Sequence, residues 1–204
     1  MGVSLVTIAV AMLCAHDVYA NVQPQKDFDL QRFSGKWYRV GLAYDSPGFV
    51  LYRHKLKIST GVLTPMANGN ANMTMWTQRS SGCRCKNYIY EKTDVPGQFN
   101  YFSTRHNRMK DITVVETNYN EYALVLKHKK MNREFTQVAL YGRSQRLRPQ
   151  LLEKFREFAL ALGFPKESIL TPLAAGETQS KRQRIAPQLS NRHKTDLLQN
   201  QNSP

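Results

Sequence analysis

Between Trp37 and Tyr141 the chain breaks into eight short runs rich in Val, Ile, Leu, Tyr, Phe and Thr. Turn-forming clusters such as ANGNAN (67–72), TDVPGQ (93–98) and NYNE (118–121) separate them. No long amphipathic segment alternates with these runs, so parallel βαβ units are excluded, and closely spaced strands with short turns form an antiparallel meander. The expected strands are Trp37–Tyr44, Leu56–Thr64, Asn72–Gln78, Lys86–Glu91, Gln98–Thr104, Asp111–Thr117, Tyr122–Lys127 and Phe135–Tyr141. Eight strands suffice to close a sheet on itself and abolish its edges. The fold class is therefore all-β, an eight-stranded antiparallel up-and-down β-barrel.

One helix follows the strands. Pro149 fits a first helical turn, where its missing N–H costs nothing, and Leu151, Leu152, Phe155, Phe158, Ala159 and Leu162 fall on one stripe. Gly163 supplies a stop and Pro165 prevents continuation. The helix is expected to pack outside the barrel, and SILTP (168–172) to return as a short ninth strand.

The flanks differ from this domain. Residues 1–20 are apolar but for His16 and Asp17 and end on Val18-Tyr19-Ala20, small residues suited to cleavage before Asn21. The run is too short for a comfortable membrane span and reads as a signal peptide of a secreted, extracellular protein. Its removal takes away one acid and no Lys or Arg, raising the net charge from +14 to +15. Residues 21–174 form the expected domain. Residues 175–204 are polar and basic, with too few bulky apolar side chains to pack, and read as a disordered tail. Lys181-Arg182-Gln183-Arg184 within it is either a solvated run or a site for a polyanion, processing enzyme or cell-surface receptor. The positive field favours anionic partners. The charges are scattered and no helix-turn-helix, RNP or zinc pattern occurs, so nucleic acid is not an expected partner.

Cys14 leaves with the signal, and Cys83 and Cys85 are the cysteines that remain. Two same-face positions on one strand bridge each other only under strain, and without His or acidic companions they make a poor metal site. They are expected as free thiols, a mutual bridge, or the link in a disulfide-bonded dimer. Asn72-Met73-Thr74 is an N-glycosylation sequon.

Three segments, GKWY (35–38), TNYNEYA (117–123) and LYGR (140–143), resemble the three signature regions of the lipocalins, in order and at matching spacing. The resemblance covers roughly residues 26–173. With YEKTD (90–94) and NREF (132–135) it is closest in pattern to alpha-1-microglobulin, neutrophil gelatinase-associated lipocalin and lipocalin-type prostaglandin D synthase. It implies a calyx in which Trp37 plugs the floor and Arg143 lies across its ring as a cation–π lid.

The register of that family turns Met75, Thr77, Lys86, Tyr88, Tyr90, Ile112, Val114, Lys129, Phe135, Gln137 and Tyr141 into the cup. Alternation agrees at the last strand: Phe135, Gln137, Ala139 and Tyr141 share one face and Thr136, Val138 and Leu140 the other. Neither face is cleanly polar, as expected where the outside meets a helix and the inside a ligand. The implied function is transport of a small hydrophobic or amphipathic molecule, a retinoid, fatty acid or similar acid, with Lys129 or another cation near the opening meeting a carboxylate.

The special residues of the three relatives are mostly missing. Ser59 stands at or beside the nucleophilic cysteine of the prostaglandin synthase, and a serine without a base is a poor nucleophile, so no catalytic residue and no cofactor is assigned. Ser46-Pro47 replaces the reactive cysteine of alpha-1-microglobulin. Of the three siderophore-holding cations Lys129 matches one; Tyr88 and Gln137 occupy the other two places, with Lys86 and Lys110 nearby. Cys83 matches the family's barrel cysteine, but its usual partner is Thr178 here. Isomerase and siderophore-binding or innate-defence roles stand as the alternatives.

Overall fold

A computed structural model describes residues 22–46, 48–79, 82–104, 107–129 and 135–171, with the side chains of Arg79 and Lys129 excepted. The expectations for residues 1–20 and 175–204, and for Thr178, lie outside the described residues.

The chain enters through α1 (Leu30–Phe33), whose first turn is capped by the Asp29 carboxylate, which accepts from the N–H groups of Gln31 and Arg32 at 2.8 and 3.0 Å. Eight strands follow: β1 (Gly35–Tyr44), β2 (Ser59–Pro65), β3 (Ala71–Arg79), β4 (Gly82–Lys92), β5 (Gln98–Ser103), β6 (Arg108–Thr117), β7 (Tyr122–Lys129) and β8 (Phe135–Gly142). Each pairs antiparallel with its successor, and β1 pairs with both β8 and β2, so the sheet closes into a barrel. Every expected strand is present, most of them a residue or two longer at an end. One expectation needs correction: residues 56–58 precede β2. The chain there forms a short helix, α2 (Phe49–Tyr52), and a 3-10 turn (Arg53–Lys55), because Phe49 is drawn into the barrel.

The expected helix is α3 (Pro149–Ala161), with Pro149 in its first turn and Gly163 beyond its end at φ +83°. It buries Leu151, Phe155 and Ala159 against Val40, Ala43, Leu124, Val138 and Leu140 on the outside of β1, β7 and β8. Gly41 makes that approach close, since a Cβ there would stand 3.1 Å from both the Phe155 ring and Leu140. Burying Phe155 contributes about 1.5–3 kcal/mol. At the rim of this contact Lys154 donates to the Glu116 carboxylate and to the Tyr122 hydroxyl. The ninth strand, β9 (Ile169–Leu170), adds to the other edge of β1.

Two apolar clusters therefore share one wall: one inside the barrel, and one between its outer face and α3. This explains why β8 reads as apolar on both faces.

The seams are unequal. Strands β3 and β4 pair from Ala71↔Tyr90 to Arg79↔Gly82, whereas β4 and β5 pair only at Glu91↔Asn100 and Lys92↔Phe99. The rest of β4 has no partner on that side and is mostly exposed. Cys83 and Cys85 lie there, both exposed and unbridged.

Candidate functional site

The closed end is built around Trp37, which is fully buried. Its indole N–H donates to the Phe33 carbonyl at 2.8 Å, and the Arg143 guanidinium lies 3.7 Å from its ring centroid. Each of the three Arg143 nitrogens has an acceptor: it donates to the carbonyls of Tyr119 (2.8 Å), Lys36 (2.9 Å) and Arg32 (3.1 Å), beneath the barrel. Burial pulls its pKa below the usual guanidinium value.

Above the floor, Phe33, Leu63, Phe99, Val114 and Val125 line an apolar cavity roofed by Lys127, Tyr90 and Tyr141. Its atom-free space is ≈ 350 Å³, but the centre of a water-sized sphere has only ≈ 20 Å³ in which to move. That is room for about one water and for no elongated ligand. Two methionines account for much of the filling. A Cβ added at Gly61 would lie 2.5 Å from the Met75 sulfur and 3.1 Å from that of Met73, so both thioethers occupy the space this glycine leaves. Unbranched thioethers re-pack readily, and a cup closed by them is closed softly.

Halfway up the wall the lining turns polar. Lys127 Nζ donates to the hydroxyls of Tyr90 (3.1 Å) and Tyr141 (3.4 Å) and lies 5.6 and 5.8 Å from their ring centroids. Burial works against its charge, but the phenolic oxygens of Tyr141 and Tyr90 outweigh it and push the ammonium pKa above the ordinary lysine value. The Tyr141 phenol is raised by burial and lowered more by Lys127 and Arg39, so it ends below its ordinary value. Burial pushes the phenols of Tyr88 and Tyr90 up. Tyr88 continues the aromatic layer, its ring centroid 5.1 Å from Tyr101 and 6.5 Å from Tyr90. At the mouth the buried Phe49 packs edge-on against Tyr44 (5.6 Å) and Tyr52 (5.7 Å), a cover over the open end.

Most of the expected residues meet inside. Met75, Tyr90, Ile112, Val114 and Tyr141 are buried there, and Tyr88 is half-buried beside them. Thr77, Phe135 and Gln137 stand nearer the rim, half-buried. Lys86 is a correction: it shares the face of Tyr88 but is exposed, because that stretch of β4 lacks a neighbour on one side. The Lys129 side chain lies outside the described residues; its backbone ends β7 opposite Phe135. Asn72 is the second residue of β3 and half-buried, inside the strand.

Sequence reasoning missed Lys127 and Arg39. Lys127 shares the parity of Lys129 one step deeper in β7, a signal that was available. Arg39 lies on the Trp37 face just before a register shift between Arg39 and Gly41 that breaks simple alternation. Ser59, the position of the missing nucleophile, is 1 % exposed, and its Oγ has no hydrogen-bond partner among the described residues. No base is therefore in place to activate it.

Comparison with known proteins gives a consistent picture. The model of the lipocalin / cytosolic fatty-acid binding protein family matches residues 34–175. A protein named lipocalin from Rhinella marina is 39 % identical over 168 residues, covering 82 % of this chain and 90 % of the relative. Protein AMBP of Sus scrofa is 35 % identical over 87 % of this chain, which spans only 54 % of that relative. Prostaglandin-H2 D-isomerase of Equus caballus is 34 % identical over 74 % of this chain and 81 % of the relative. Among solved structures, lipocalin 12 from rat epididymis superposes with a TM-score of 0.67 at 25 % identity, covering 74 % of this chain and 88 % of that one. A siderocalin, Ex-FABP, described as acting through dual ligand specificities, gives 0.62 at 23 % identity over 72 % of this chain and 96 % of its own, a likeness of fold.

Proposed function

The chain belongs to the lipocalin family, and from that premise we propose that it is a secreted carrier holding a small hydrophobic or amphipathic molecule, such as a fatty acid or retinoid, inside the barrel. The observation that carries this reading is the interior itself: a sheet closed on itself, a floor sealed by Trp37 and Arg143, and an apolar, phenol-lined cup with the Phe49 segment at its mouth. Affinity would come from removing the ligand's apolar surface from water at roughly 25 cal/mol per Å². Entry would require Met73 and Met75 to move off Gly61. Among the described residues no helix is long and apolar enough to cross a membrane. A glycan at Asn72, a thiol-linked dimer, and a receptor or polyanion bound by the basic tail belong to the same reading.

The isomerase alternative has relatives in its favour, but the unpaired Ser59 hydroxyl argues against turnover. Siderophore binding is disfavoured by the uncharged Tyr88 and Gln137 and by Lys86 lying outside the cup's shelter.

The test is a fluorescence titration of the Trp76→Phe variant, in which Trp37 alone reports. Saturable quenching by a fatty acid or a retinoid is expected. Silence toward every lipophilic compound tried would remove the basis of the proposal.

A further inference from the structure

Resting on that carrier reading, we infer that the cup receives its ligand head first: an oxyanion headgroup seats deep in the barrel between Arg39, Ser59 and Lys127, with the apolar chain pointing to the mouth.

The cations come first. Arg39 on β1 and Lys127 on β7 both face the interior and are close enough to bias the same phenols, Tyr88 and Tyr141. The strands of the barrel carry three carboxylates, Glu91, Asp111 and Glu116. Glu91 follows the inward Tyr90, Asp111 precedes the inward Ile112, and Glu116 bonds to Lys154 on the outer helix. All three thus stand on the outer face. Among the described residues Arg39 and Lys127 have phenols and no strand carboxylate beside them in the cup, and an uncompensated charge away from water is costly.

The second observation is independent of charge. Arg39 Nε and Ser59 Oγ are buried with no hydrogen-bond partner among the described residues. Arg39 and Ser59 are also register partners across β1 and β2, so the two orphans lie side by side on the inner face. Buried polar groups are almost always satisfied, and a pair left open at one place indicates a missing third party. That party must accept from a guanidinium, a hydroxyl and an ammonium together. A carboxylate or phosphate oxygen cluster does so; an alcohol, aldehyde or ester does not.

Position sets the orientation. Lys127 reaches the hydroxyls of Tyr90 and Tyr141 above the apolar floor cavity, so a ligand entering past Phe49 meets this polar layer with its leading end. The mouth beyond is lined by Tyr44, Phe49 and Leu56, which suit a hydrocarbon chain.

The experiment uses the full chain carrying Trp76→Phe and three ligands of one chain length: myristate, myristyl phosphate and myristyl alcohol. Either anion is expected to bind at least about tenfold tighter than the alcohol, and their order distinguishes a carboxylate from a phosphate head. Arg39→Met and Lys127→Met should each reduce that preference. Myristate brominated beside the carboxyl should quench Trp37 more than myristate brominated at its terminal carbon, a readout that needs no wall mutation. If all three ligands bind equally, or the terminal bromine quenches more, the head-first inference is overturned and the carrier reading stands. If none binds, the carrier reading itself falls.

Discussion

Two partly buried arginines stand at different depths of this barrel, and they are finished to different degrees. Arg143 at the floor has a ring at 3.7 Å and three carbonyl acceptors, one for each nitrogen. Arg39, halfway up the same enclosure, leaves its Nε without a partner beside an equally unpartnered Ser59. The partnered arginine closes the structure; the other waits for something to arrive. Hydrogen-bond completeness, rather than burial or residue type, separates the part that holds the fold from the part that binds.

Five measurements break or sharpen that contrast. Trp37→Ala removes the ring on which Arg143 rests and should cost about 3–5 kcal/mol in denaturant unfolding, the largest effect at either site. Arg143→Met strands three backbone carbonyls and loses the cation–π contact, for about 2–3 kcal/mol. The same substitution at the other arginine, Arg39→Met, should change stability by less than about 1 kcal/mol or raise it, since it removes a poorly satisfied charge. Equal losses at the two arginines would erase the distinction.

The fourth measurement in order of size is an alkaline titration. Because the Tyr141 phenol sits below its ordinary value, the folded state gains stability as pH rises through that lowered value, in full above the unfolded phenol's ~10. Lys127, raised, contributes stability below the ordinary lysine value and loses it as pH climbs through its own. One tyrosine should therefore ionise ahead of the rest in near-ultraviolet absorbance, and Lys127→Met or Tyr141→Phe should abolish that early phase. The smallest effect belongs to the outer wall. Cys83 and Cys85 are exposed thiols, and alkylating both should shift stability by under about 0.5 kcal/mol. Failure of either to react without reductant would reveal a bridge.

Strands, helix and floor were legible in the sequence because each rests on local rules: turn clusters between apolar runs, a 3.6-residue stripe, and a tryptophan–arginine pair in matching segments. The polar layer was not. Parity assigns a face but no depth, so Lys129 was preferred near the opening while Lys127, on the same face, reaches Tyr90 and Tyr141. The register shift after Arg39 hid that arginine, since Trp37 and Leu42 both face inward across an odd separation. Lys86 failed for another reason: a side chain can point toward a cup where the wall around it is incomplete. Alternation along one strand carries no news of whether a neighbour is present.

That incomplete wall has a kinetic meaning. Among the described residues β4 pairs with β5 only at Glu91 and Lys92, and the edge-on contact of Tyr88 with Tyr101 spans the slit beyond them. Amide hydrogens there should exchange before those of the fully paired strands.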